Sequence, residues 1–418
     1  MKRDRGYAWV ILIFLWMLGF AAAISRFVMS YYQHEMARDL SVDLTFISFT
    51  WSVNIAVAAV CSPLGGWLTD RYGPKKMMLL NALFGVMSML TVLTFRLPAG
   101  FFLGLGLLSG LSGMAASTGY VVVTSWFSRH KAKALMIMTS ASSLGLAVLT
   151  PLFVSNRDWL DWTTAFTFTL WITLVSIPLT LLIMKERKRE EHEADPSAAE
   201  SPPTAGRPRI LPIAKEMVTS RTVLLVVFAL FTCGFSMGTV EMHLMAIHRH
   251  HQISSVMFTS SLSILGLLEL TGGLLFAFLL DRMSRSLALS FLYVFRIVAF
   301  TVLYLHFSAS PILFSVIFGA SYLGAIPGGI LVAGEAMGHR SVGLQAGTLL
   351  IFHQAGAVLG SFSGGFLYDL TNSYQALIGI NLIFSALSAT GYYQIHRASN
   401  RRRSVPGQPG GASLKKSL

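Results

Sequence analysis

Twelve apolar segments divide this chain, near residues 7–32, 45–68, 76–95, 98–125, 134–155, 163–184, 222–248, 254–280, 285–306, 311–334, 343–369 and 374–395. Each can cross a hydrocarbon core of roughly 30 Å as a helix, which takes about 20 residues. Lipid offers backbone N–H and C=O groups no partner, so a spanning segment must satisfy them within itself, as a helix does. The ~10-residue alternation of a membrane barrel is absent. Of the 418 residues 54% are apolar and 12% charged, about half the charge of a soluble domain. The pattern predicts an all-α membrane protein of twelve transmembrane helices.

The net charge of +13 would suit a nucleic-acid binder, but its distribution argues otherwise. Counted from a cytoplasmic N-terminus, 26 of the 32 Lys and Arg residues fall on the cytoplasmic side, four fall outside and two lie within segments. That positive-inside bias orients the chain with both termini cytoplasmic, in a cell (inner) membrane. Arg401-Arg402-Arg403 then reads as a solvated basic stretch. The first apolar run is too long for a signal-peptide core and shows no small-residue cleavage pattern, so it stays as a helix. Cys61 and Cys233 lie in separate segments and imply neither a disulfide framework nor a Cys-based metal site.

Residues 185–220 break the pattern. Lys185 to Glu191 is a charge run, and Asp195 to Pro203 is rich in Pro, Ser and acid. Such a composition builds no core and reads as a flexible cytoplasmic linker. It separates a six-helix half, 1–184, from a second, 221–396, with a polar, disordered cytoplasmic tail over 397–418. Small residues at Gly104, Gly106, Gly110 and Gly113, and at Gly356, Gly360, Gly364 and Gly365, mark close helix contacts. Pro151 and Pro327 are kinks, or hinges for a conformational cycle.

Behind the second segment stands Gly66-Trp67-Leu68-Thr69-Asp70-Arg71-Tyr72-Gly73-Pro74-Lys75-Lys76. Its glycines allow a tight contact and a sharp turn, and its charges sit at a membrane surface. The pattern resembles the loop signature of the major facilitator superfamily, and Leu280-Asp281-Arg282 echoes it in the second half. The resemblance implies two six-helix halves of like orientation with a binding site between them near the midplane, and a latch at Asp70-Arg71 and Asp281-Arg282. Asp4 to Trp9, Trp126 to Ala134, Cys233-Gly234-Phe235 with His243-Leu244, and Gly338-His339-Arg340 through Gly356 to Tyr368-Asp369 resemble patterns of the monocarboxylate porter branch. That branch carries, in its eighth helix, an acid followed four residues on by Arg, used for proton coupling and carboxylate binding. Here the acid is Glu269 and the Arg position is Gly273, so anion recognition does not carry over directly.

Ionisable groups inside a membrane are costly, which makes each a functional candidate. Glu269 and Arg296 lie 14 and 13 residues either side of Met283, each roughly 20 Å from that turn. They form either a substrate-binding pair in which Arg296 replaces the missing Arg, or a structural one. Arg26 and Glu241 lie at matching depth in the symmetry-related first and seventh helices. Arg26 either binds a carboxylate, pairs with Glu241 to close an outer gate, or snorkels to the outer interface. His243 and His353 read as proton relays or as packing residues, and Asn54 and Tyr120 as polar liners of the cavity. His248-Arg249-His250-His251, just outside the seventh helix, reads as a solvated loop or as a metal or pH-sensing site.

No catalytic constellation, metal-ligand spacing or phosphate-cradling loop occurs, so neither an enzyme nor an ATP-driven pump is expected. The reading is a secondary transporter of a small organic anion, a monocarboxylate, moved with a proton by alternating access. It needs the bilayer and the proton gradient, with no cofactor, metal, nucleic acid or obligatory protein partner. A proton-coupled exporter of a drug-like or peptide-like metabolite, and a solute sensor that does not transport, stand as alternatives.

Overall fold

A computed structural model describes residues 6–115, 118–127, 131–184, 219–337 and 342–403. Twelve helices among these residues are long and apolar enough to cross a membrane. Spans one to three are Gly6–Tyr31, Leu44–Tyr72 and Pro74–Thr94. The fourth begins at Pro98–Phe101, loosens into a π-helical stretch at Phe102–Leu108 and ends in Thr118–Trp126. The fifth and sixth are Lys131–Ser155 and Trp162–Ile183. Spans seven to nine are Arg221–His250, Ser255–Arg282 and Arg285–Leu305. The tenth is broken into Ser310–Ala320 and Ala325–Met337, and Val342–Thr371 and Gln375–Arg403 complete the set.

Local chemistry sets the ends of these helices. Asp43 accepts the Phe46 N–H at 2.8 Å and Asp161 accepts the Thr164 N–H at 2.7 Å, each satisfying a donor that a helix start leaves free. Between spans two and three, Gly73 takes φ +87°, open to glycine at little cost, and Pro74 starts the next helix. Two differences from the sequence expectation stand out. A short helix, Gln33–Asp39, follows the first span, too brief and polar to register as a hydrophobic segment. The last helix continues to Arg403, so residues 397–403 are helical and not disordered tail: nothing in that polar stretch breaks a helix, and the side chains of residues 397–401 are solvated. Residues 185–218 and 404–418, most of the expected linker and tail, lie outside the described residues.

Large apolar side chains such as Val60, Leu182 and Ile351 are 78%, 73% and 65% exposed. A soluble protein seldom shows such a surface, whereas lipid matches it. The start of the first helix and the end of the last share one end of the bundle, called proximal below.

The two halves meet at the other, distal end. Ser30 Oγ and Gln33 Nε2 both donate to the Met242 carbonyl, at 3.0 and 2.9 Å. The Thr45 N–H donates to Asp369 Oδ2 at 2.7 Å, and Ser52 Oγ to the Val358 carbonyl at 3.1 Å. One continuous apolar core links both halves there, from Phe27 and Phe153 to Leu244 and Phe258. Near the proximal end, Ala8, Ile11, Phe14, Val122 and Phe127 form a separate cluster that, among the described residues, includes no side chain of the second half. Among the described residues the bundle is therefore shut distally, while its proximal ends share no core.

Candidate functional site

The first span brings Arg26 to the junction of the halves, where the seventh span contributes Glu241. The Arg26 Nη1 atom lies 3.5 Å from Glu241 Oε1 and donates to Ser142 Oγ at 3.1 Å. Glu241 Oε1 also accepts from the Tyr322 hydroxyl at 2.6 Å. From the eighth span Glu269, 2% exposed, accepts from Ser143 Oγ at 2.7 Å through Oε2. Its Oε1 has no partner. Arg26, Ser142, Glu241 and Glu269 line a cavity of about 20 Å³, room for water and not for an organic solute. Apolar side chains, among them Phe27, Leu146, Leu244 and Leu265, wall the rest. A charge in such walls must be paired or neutralised. One guanidinium and two carboxyls thus share a site contributed by both halves.

The expected contact between Glu269 and Arg296 does not form. The two stand at similar distances along their helices from the turn at Met283, but Glu269 turns toward the fifth span, where Gly266 lies against the Ser143 carbonyl, so the helices there approach closely. Arg296 is wholly buried inside the second half, with Nη2 3.4 and 3.5 Å from the carbonyl oxygens of Ser321 and Tyr322. The rings of Tyr293 and Phe318 each lie 5.4 Å from its guanidinium. Depth alone could not reveal which face each residue occupies.

The remaining candidates are dispersed. Asn54 donates to the Leu105 carbonyl at 2.7 Å, serving a π-helical stretch of the fourth span. His243 Nε2 lies 2.7 Å from the Ser361 carbonyl, in the seam between spans seven and eleven. His353 lies 3.2 Å from Met237 Sδ and 3.3 Å from Gln354 Oε1. Neither histidine lines the cavity around Arg26. Arg71 stacks along its own helix, 5.2 Å from the Trp67 ring, and Arg282 lies 4.6 Å from that of Phe278. Lys75 Nζ donates to the Leu181 carbonyl at 2.9 Å, capping the sixth span. The side chains of Asp70, Tyr120 and Asp281 lie outside the described residues.

At the distal end, Arg249 forms a forked pair with Glu35, Nη1 to Oε2 at 2.9 Å and Nη2 to Oε1 at 2.6 Å. Its Nη1 also donates to the Tyr31 carbonyl at 2.7 Å. Burial opposes ionisation of Glu35, but the bonds and charge of Arg249 outweigh it and hold the carboxyl below its usual value. Arg249 and the fully buried His248 therefore do not form the solvated loop expected from the sequence. The seventh helix runs on to His250 and docks against Gln33–Asp39. Ser142, Ser143, Tyr322, Glu35 and Arg249 were not legible as site or gate residues: hydroxyls are common in apolar helices, and Glu35 and Arg249 stand at segment ends where charge is ordinary.

Comparison with known proteins gives a consistent picture. A model of the Major Facilitator Superfamily matches residues 15–347. The uncharacterized MFS-type transporter YcxA of Bacillus subtilis is 27% identical over 405 residues, 93% of this chain and 95% of its own. Monocarboxylate transporter 12 of Rattus norvegicus is 23% identical over 434 residues, 95% of this chain and 87% of its own. The nucleoside transporter NupG superposes with a TM-score of 0.72 at 13% identity, covering 94% of this chain and 99% of that one. A bacterial homologue of the human lysosomal transporter Spinster also gives 0.72 at 13% identity, over 97% and 100% of the two chains.

Proposed function

This chain belongs to the Major Facilitator Superfamily and is a multi-pass membrane transporter, and on that premise we propose that it moves a small monocarboxylate together with a proton. The observation that carries this reading is the composition of the central cavity. Arg26 is a fixed cation at the seam, and Glu269 holds one carboxyl oxygen on Ser143 while the other is unpartnered in apolar walls. A guanidinium presents parallel donors that match a carboxylate. A nearly dry carboxyl is costly as an anion, so a proton is its natural companion. Solute carboxylate would displace Glu241 from Arg26, leaving Glu241 on the Tyr322 hydroxyl, while Glu269 carries the proton across. The full-length similarity to monocarboxylate transporter 12 supports the same solute class.

In this proposal the proximal end faces the cytoplasm, as the Lys and Arg distribution requires. The structure then corresponds to the state closed to the outside, with Glu35–Arg249 as its outer latch. Replacing Glu269 with Gln in reconstituted protein tests the proton role. Counterflow exchange of radiolabelled lactate is expected to persist, while accumulation driven by an imposed pH gradient is lost. Gradient-driven accumulation at the wild-type level in Glu269→Gln removes the proton role.

A second reading follows from the charge balance. Glu241 and Glu269 outnumber Arg26 around the cavity, which favours a cationic drug-like or peptide-like solute carried outward against protons. Efflux of a cationic dye, abolished by Glu241→Gln, would favour that reading over the first.

A further inference from the structure

Arg296 carries a full charge into the interior of the second half, where it is 0% exposed. None of the ion pairs formed by carboxylates among the described residues includes it. Such a cation is expensive and persists only where something compensates it. The Cys233 side chain lies within hydrogen-bond reach of it, and the break in the tenth span faces it as well. Ser310–Ala320 ends there, and the chain runs through Ser321–Gly324 before Ala325–Met337 begins. A helix end leaves its last carbonyls without partners and carries roughly half a negative charge. In an apolar interior both features are unfavourable. The guanidinium lies against that end, 3.4 Å from the Ser321 oxygen and 3.5 Å from the Tyr322 oxygen. At those lengths the attraction is mainly charge to dipole. The rings of Tyr293 and Phe318 hold the group in place.

Tyr322 is the link. Its carbonyl belongs to the break that Arg296 compensates, and its hydroxyl reaches into the junction of the halves to donate to Glu241 at 2.6 Å. One residue is therefore held from both sides. We infer that Arg296 is a positioning residue for the solute site: by anchoring the broken segment of the tenth span it sets where the Tyr322 hydroxyl lies, and so how Glu241 is shared between Tyr322 and Arg26. This rests on reading the Arg26 cluster as the solute site, but the chain from Arg296 to Glu241 can be tested without any solute.

The side chain of Glu241 is 25% exposed beside a cavity that admits water alone, so carboxyl labelling with a water-soluble carbodiimide and glycine ethyl ester reports how readily Glu241 is released from its partners at the seam. The full-length protein in lipid nanodiscs would be labelled, and the product read by peptide mass spectrometry. Arg296→Gln and Tyr322→Phe should each raise Glu241 labelling about fivefold, the size of one lost hydrogen bond. Labelling at Glu35 and Glu335 should stay unchanged. The double variant should label no faster than either single one, because both act on one contact. Arg296→Lys, which keeps the charge but not the planar fork, should fall between wild type and Arg296→Gln. It provides the test on its own if Arg296→Gln fails to assemble.

Unchanged Glu241 labelling in the Arg296 variants overturns the inference. So do equal rises at all three carboxylates, which indicate general loosening, and additive effects in the double variant. A parallel lactate-uptake assay separates the two levels. The same variants should raise KM with little change in maximal rate. If labelling behaves as described while the wild type takes up no carboxylate, the solute reading fails and the positioning role stands.

Discussion

Glu35 and Arg249 show how much one charged pair contributes at a helix end. Glu35 stands on the short helix after the first span and Arg249 in the last turn of the seventh, so their forked contact ties one half to the other. Their side chains are 23% and 29% exposed, which screens part of the attraction and leaves it worth about 1 kcal/mol. The carboxyl is held below its ordinary value. A group depressed in the closed state contributes its stability above its ordinary pKa and loses it as the pH falls through the depressed one. The latch should therefore act at full strength from neutral pH down to about 4, near the ordinary glutamate value, and fail below. Glu35→Gln removes it at every pH, and should shift the closed population by about fivefold toward the distally open state. Spin labels placed at the distal ends of the first and seventh spans would report this as a longer distance component. An unchanged distance distribution between pH 7 and 3 in wild type, and in Glu35→Gln at neutral pH, would show that the pair does not hold the distal end.

Helices seven and eleven illustrate what spacing of small residues accomplishes. A Cβ at Gly234 or Gly238 would strike the main chain of His353 or Ala357, and one at Gly356 or Gly360 that of Phe231 or Phe235. The two backbones touch on both sides, a contact that residues with side chains cannot make. Gly238→Val is expected to cost about 3 kcal/mol by overpacking, seen as a clear fall in the melting temperature of detergent-solubilised protein. Gly379→Ala, where nothing lies within 4 Å, should leave melting unchanged or slightly raised. Equal melting of the two variants would contradict the packing account. The existence of these helices was legible because each is a long apolar run. The close seam at Gly356 and Gly360 was legible from glycine spacing. The break at Ser321–Gly324 was not: Pro327 pointed to a kink nearby, but Ser321 and Tyr322 carry no signal of interruption. The facing of Glu269 toward Ser143 was equally hidden, since it depends on how the two halves dock rather than on any local pattern.

At the scale of the whole molecule, the distal end is sealed by Ser30 and Gln33 on Met242, Thr45 on Asp369 and Glu35 on Arg249. Near the proximal end, the first half keeps a core of its own. Between them, Arg26, Glu241 and Glu269 come from both halves, so a change in their charge or partners bears directly on how the halves meet. A carboxylate that takes Arg26 from Glu241, and a proton that neutralises Glu269, would together remove the constraints that hold the seam in one arrangement. The direct test is reconstitution of the wild-type chain into proteoliposomes with an acid outside medium and a neutral lumen. Radiolabelled lactate should accumulate above its external concentration, and a protonophore should abolish that accumulation. Failure of lactate and other small monocarboxylates to accumulate under the gradient, alongside proton-dependent transport of a cationic dye by the same preparation, would contradict the account.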